Sequence, residues 1–404
     1  AAVPEVPSSG APMSTTGPSR LPSLTGLRFW AALLVVLYHL SRKVGELPLI
    51  GPAAWYGRSG VTFFFVLSGF VLAWTYGPAP VRAPVFARRR FARIWPLHVL
   101  TTALSLGADA AIGAVLPVAA ALWSLALVHP WALPTVYGGN AASWSLGAEA
   151  WFYLLFPPLL RLLAPRRRAW LPLAVLCAAL GPALWAAGAL LPADPAVRGW
   201  LLDYLPLTRT PQFVLGVVTG LAVRHGALPR LRLLPAAAAV VLWHLLLVPW
   251  HAAVPDSLWY GPYSASQLLP APLFAALLAA AAGRDLAGTP PRLLAGRTAV
   301  RLGEWSYAWY LVHEIGIRCW LAVVGRPETG AATLGVWLLL AGGSLAAAGV
   351  LYRWVERPCE RLLRGAPRGR DTAAPLPPRG VRVVRQRRRA VTEDQPSVEP
   401  SRLT

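Results

Sequence analysis

Apolar runs approaching twenty residues recur along this chain, and each can form a helix that crosses the roughly 30 Å hydrocarbon core of a bilayer. Ten such segments stand out: 27–41, 59–77, 94–113, 145–163, 170–190, 211–224, 232–250, 267–283, 303–323 and 333–355. Of the 404 residues, 56% are hydrophobic and only 14% charged, a balance foreign to a soluble domain of that length. The sequence predicts an all-α polytopic membrane protein with about ten transmembrane helices.

Charge sets the expected orientation. Arg82, Arg88, Arg89, Arg90 and Arg93 fill the loop 78–93, and Arg161, Arg166, Arg167 and Arg168 form a second basic knot. Short Arg-rich loops stay in the cytoplasm, so an even number of crossings must separate the two. Spans 94–113 and 145–163 supply two. The extra run 116–133, interrupted by Pro117, His129 and Pro130, is therefore predicted as a re-entrant or interfacial helix. Up to the last span, eighteen basic residues then fall on inner segments and six in outer loops. Both termini are expected in the cytoplasm, with the protein multi-pass in the plasma membrane. Residues 1–21, rich in Pro and Ser, read as a disordered leader, 22–362 as the membrane domain, and 363–404 as a disordered basic tail. The net charge of +21 reflects those loops and the tail. Anionic lipid, not nucleic acid, is its expected partner. Cys177, Cys319 and Cys359 show neither disulfide nor zinc spacing.

Within the spans, ionisable residues are costly and few. Arg28 and His39 lie eleven apart, almost three helical turns, on one face and about 16 Å apart along the axis. Spacing alone leaves two readings open: a functional pair, or a snorkelling arginine and a packing histidine. Arg90 and Arg93 share a face at the entrance of the third span, as topology anchors or as a clamp for phosphate. His98 reads as a packing histidine. Glu149 is expected near the outer end of the fourth span, with Ser143 as N-cap. His313, about three turns into the ninth span, is expected at the depth of His39. Ser68 and Gly69 suit close helix packing.

These residues sit in ordered motifs: Leu24–His39, Gly60–Phe70, Arg88–Pro96, Trp144–Pro157, Ser306–His313 and Glu356-Arg-Pro358. Together they resemble the acyltransferase-3 family of integral membrane O-acyltransferases over roughly residues 22–362. Thr25, where many members have Asp, and Ala150, where many have a second Glu, bring the wording closer to members that acylate sugars or macrolide antibiotics. The resemblance implies ten transmembrane helices and acyl-CoA as a cytoplasmic donor substrate, with no bound cofactor and no metal. It implies transfer of an acetyl or longer group to a hydroxyl of a carbohydrate or polyketide glycoside. By that resemblance Arg28, Arg90 and Arg93 would grip the phosphates of CoA. His39 would act as general base or transient acyl carrier, and Glu149 and His313 would orient the acceptor or the base. The rival reading is a transporter or flippase of lipid-linked or hydrophobic metabolites, which ten spans with mid-membrane polar groups also allow.

Overall fold

A computed structural model describes residues 20–48, 50–77, 81–114, 118–191, 194–253 and 261–364, and contains helices and no strand among them. Most of the predicted leader and almost all of the tail lie outside these residues. Eleven principal helices follow in order. They are α1 Pro22–Lys43, α2 Gly51–Tyr76, α3 Ala83–Ala111, α4 Val118–Leu125, α5 Trp144–Leu163 and α6 Trp170–Leu190. The remainder are α7 Pro206–Arg224, α8 Leu233–Ala253, α9 Gly261–Leu286, α10 Arg297–Val323 and α11 Gly330–Arg364. All but α4 coincide with the ten apolar segments of the sequence. Seven of them are long and apolar enough to cross a membrane by length and composition alone. The other three are α3, α7 and α10, of which α3 carries Arg90 and Arg93 and α10 carries His313 and Glu314.

The segment around 116–133 does not form a span. Helix α4 has eight residues and reaches about 12 Å at 1.5 Å per residue, well short of a bilayer core. It gives way to single turns at His129–Trp131 and Leu133–Thr135. The hairpin is tied to α3, where His98 Nε2 lies 2.8 Å from the Ser124 carbonyl and Trp95 Nε1 donates to that of Leu125 at 3.3 Å. His98 is thus the buried packing histidine that the sequence suggested.

With that segment excluded, the two basic knots reach the same end of the bundle. Arg161 at the end of α5 donates to the Val81 carbonyl ahead of α3, at 3.4 Å. Arg88 donates to the Arg364 carbonyl at the end of α11, at 2.8 Å. Asp285 near the end of α9 accepts from the Ser23 backbone N–H at 3.0 Å and from its hydroxyl at 2.6 Å, which caps the start of α1.

Two helix pairs form the centre, α1 against α10 and α2 against α7. Their backbones nearly touch. A Cβ on Gly303 would collide with the Thr25 carbonyl, and one on Gly216 with the carbonyl of Val66. Small residues at such crossings let helices gain van der Waals contact where lipid removes the hydrophobic drive between them. Helices α6, α8 and α11 instead leave most of their apolar surface outward, as a bilayer requires.

One sequence expectation fails. Ser143 does not cap α5: a 3-10 turn Ala141–Ser143 precedes the helix, Asn140 caps that turn, and the Ser143 hydroxyl donates to the Asn140 carbonyl at 2.6 Å.

Gly216→Ala should destabilise the protein by about 1–3 kcal/mol, the usual cost of overpacking. It should lower the thermal unfolding midpoint in detergent. Gly342→Ala, where nothing lies within 4 Å of the added carbon, should be neutral or stabilising.

Candidate functional site

Two cavities open along the central helices. The inner one, about 430 Å³, is lined by Arg28 of α1, Arg90 and Arg93 of α3, and Glu149 and Tyr153 of α5, among others. Apolar wall comes from α2, including Phe64 and Phe65. The helical spacing that placed Arg90 and Arg93 on one face brings both to Arg28. Arg93 contacts Glu360 at 3.5 Å, and the charge of buried Glu356, from a π-turn of α11, acts on both Arg28 and Arg93. Arg90 Nε is buried with no hydrogen-bond partner among the described residues. The cavity sets a cation cluster beside an apolar wall from α2, which suits a multiply charged anion that carries an apolar arm.

The outer cavity, about 350 Å³, contains His39, Lys43 and Glu314 with a ring of aromatic side chains, Tyr38, Tyr137, Trp144 and Tyr204 among them. His39 and His313 meet at its wall, with His39 Nδ1 and His313 Nε2 3.1 Å apart. Each Nδ1 also faces the carbonyl one turn back, His39 that of Val35 at 2.9 Å and His313 that of Trp309 at 3.1 Å. A carbonyl only accepts, so in the neutral rings each Nδ1 carries the proton. His313 Nε2 then accepts a share of the His39 Nδ1–H. That leaves Nε2 of His39 as a lone-pair nitrogen without a protein partner among the described residues, on a residue that lines the outer cavity.

The six residues picked from sequence therefore divide between two places. His39 and His313 form one pair, as their shared depth predicted. Glu149 does not join them. It lies in the inner cavity with the three arginines, where its carboxylate accepts from Ser68 at 3.2 Å and from the Tyr153 hydroxyl. The reason is position along the helix: Glu149 stands on the same face of α5 as Ser145 and one turn further on, and the Ser145 hydroxyl already meets Tyr310 of α10 at 2.8 Å.

An ionic chain beside the histidines escaped the sequence reading. Lys43, one turn beyond His39, contacts Glu314, the neighbour of His313. Glu314 pairs with Arg318 at 2.9 Å, and Arg318 reaches Asp109 and, at 2.5 Å, Ser105 on α3. The i, i+4 spacing of Glu314 and Arg318 was a usable signal. The partners on α1 and α3 were not legible in one sequence. Nearby, buried Arg58 pairs with Asp203 at 3.1 Å and stacks 3.7 Å from the centre of the Tyr263 ring. No group of three or more His, Cys, Asp or Glu that could hold a metal occurs among the described residues.

Residues 21–353 match the acyltransferase-3 family model, described as an acyltransferase domain. The chain is 34% identical over 370 residues to the acyltransferase MdmB of Streptomyces mycarofaciens, with 85% of this chain and 92% of that protein covered. It is 25% identical over 372 residues to nodulation protein 10 of Rhizobium leguminosarum bv. viciae, with 83% and 92% covered. A shorter stretch of 96 residues, 23% of this chain, is 41% identical to protein 2 in the picA locus of Rhizobium radiobacter, of which it spans 47%. No solved structure matches the chain with significance.

Removing Glu314 would leave Lys43 and Arg318 as like charges beside the histidine pair. Glu314→Ala is expected to cost about 3–5 kcal/mol, the range for breaking a buried ion pair. Glu360→Ala at the bundle end should cost about 1 kcal/mol or less. Thermal unfolding of the two variants in the same detergent compares them directly.

Proposed function

The chain belongs to the acyltransferase-3 family, and we propose that it moves an acyl group from acyl-CoA to a hydroxyl of a carbohydrate or glycosylated metabolite. The observation that carries this reading is the axis from the arginine cluster to the histidine pair. Arg28 and His39 stand on one face of α1, about 16 Å apart, a separation that eleven residues of helix impose. CoA joins a polyphosphate to a thioester through a long flexible arm. Its phosphates suit the guanidinium forks of the inner cavity, and its thioester then comes up to the wall beside His39.

In this mechanism the acceptor hydroxyl enters the outer cavity and donates its hydrogen bond to His39 Nε2. As the hydroxyl oxygen attacks the thioester carbonyl, the imidazole takes its proton. The carbon–sulfur bond breaks, and the imidazolium returns the proton to the leaving thiolate. His313 is a positioning residue, because its lone pair holds the Nδ1–H of His39 and so presents the basic nitrogen to the cavity. The ion pairs of Lys43, Glu314 and Arg318 fix that arrangement from α1 to α3. Glu149, with Ser68 and Tyr153, gives the arginine cluster an anionic counterpart. The aromatic lining of the outer cavity, which suits the apolar faces of a sugar ring, supports the acceptor class. The basic loops gathered at one end of the bundle support placing the donor and the termini in the cytoplasm.

Purified protein supplied with acyl-CoA and acceptor should release free CoA, which a transporter would not. His39→Ala should lower kcat by about 10²–10⁴-fold, the usual contribution of a general base, while the protein elutes unchanged from size exclusion. Full retention of activity would remove His39 from the chemistry. Arg90→Ala or Arg93→Ala should raise KM for acyl-CoA about ten-fold or more, since a hydrogen bond to a charged group contributes about 1.5–3 kcal/mol. If kcat fell with KM unchanged, the arginines would not be the phosphate grip.

A further inference from the structure

The proposed transfer requires the acyl carbonyl to pass from the inner cavity to a nucleophile in the outer one. Two residues line both cavities, Val61 of α2 and Tyr310 of α10. They form the wall between donor and acceptor. Tyr310 is held on its rim, since its hydroxyl shares a hydrogen bond of 2.8 Å with Ser145, and its ring meets that of Phe64 at 6.3 Å between centres. Val61 faces the cavities from a helix clamped against α7, and a β-branched side chain in a helix is confined to one main rotamer. Val61 and Tyr310 are 5% and 7% exposed, so both are packed among neighbouring side chains.

We propose that Val61 and Tyr310 form the aperture that seats the thioester and sets the length of the acyl chain transferred, with short chains such as acetyl and propionyl as the class admitted. This rests on the acyl-CoA reading above. At the aperture the acceptor oxygen bonds to the carbonyl carbon, its proton moves to His39 Nε2, and the carbon–sulfur electron pair leaves with sulfur. The thiolate then takes the proton from the imidazolium, so that an ester and free CoA are the products. The carbonyl must stay in the aperture throughout that step. Each methylene beyond it must therefore share space with the Val61 methyl groups and the Tyr310 ring.

A strain lacking the gene, supplied with propionate and butyrate and complemented with wild type, Val61→Ala, Val61→Ile or Tyr310→Phe, provides the test. The readout is the ratio of long to short acyl increments on surface glycans and secreted metabolites, measured by mass. A ratio taken within one sample does not depend on how much folded protein reaches the membrane. Val61→Ala should raise the ratio about ten-fold or more, since one methylene in a tight apolar site is worth about 10–200-fold. Val61→Ile should lower the propionyl-to-acetyl ratio. Tyr310→Phe frees the ring from Ser145 and should raise the ratio in the same direction as Val61→Ala. An unchanged ratio in both Val61 variants, or loss of every product in both, overturns the aperture. If wild type itself restores no acyl product, the acyltransferase reading fails instead.

Discussion

Helix α1 lies so close on α10 that the Thr25 carbonyl leaves no room for a side chain at position 303, and the meeting of the two histidines depends on that contact. Near one end the backbones touch; towards the other, Lys43 meets Glu314. Between these fixed points His39 and His313 come within 3.1 Å. Lipid offers no hydrophobic force to press two apolar helices together, so close packing at glycine and pairing of charge must do it. The same contact explains why ionisable residues are tolerated at this depth. His39, His313, Lys43 and Glu314 each face a cavity, a carbonyl or an opposite charge, as the cost of a solitary charge in hydrocarbon demands.

The site separates two chemistries that ester transfer must bring together. A polyanionic donor needs fixed cations, whereas a base near the reaction needs a neutral imidazole with a free lone pair. Arg42, Lys43 and Arg58 line the same cavity as His39, but Lys43 and Arg58 are paired with Glu314 and Asp203, and Arg42 donates to the hydroxyls of Tyr38 and Tyr263. The cluster of Arg28, Arg90 and Arg93 lies in the other cavity, about 16 Å of helix separating Arg28 from His39. The separation requires a substrate long enough to span it, and acyl-CoA has that shape. In the proposed mechanism, His313 engages Nδ1 of His39 and so leaves Nε2 for the acceptor.

Much of this was legible in the sequence. Ten apolar runs became the ten long helices because length and hydropathy are local properties. The parity of the basic loops identified 116–133 as a segment that does not cross, since charge bias constrains the count of crossings even where hydropathy is ambiguous. Helical spacing joined Arg90 to Arg93 and put Arg28 and His39 on one face. Spacing failed where contacts depend on the relative phase of two helices. Spacing did not say which cavity Glu149 would line, and it stands with the arginines. The chain Lys43–Glu314–Arg318–Asp109 draws on three helices far apart in sequence, and only its i, i+4 step was visible. Ser143 failed as a cap for a local reason, because a 3-10 turn begins ahead of it at Asn140.

The central claim is that donor phosphates lie at the arginine cluster while the reacting carbonyl lies beside His39. A cryo-EM structure with a non-hydrolysable thioether analogue of acyl-CoA tests it most directly. The account predicts phosphate oxygens within hydrogen-bond distance of Arg28, Arg90 or Arg93 in the inner cavity, and the acyl carbon next to His39 Nε2. Phosphates in the outer cavity, or an acyl group remote from His39 with the nucleotide bound, would contradict it.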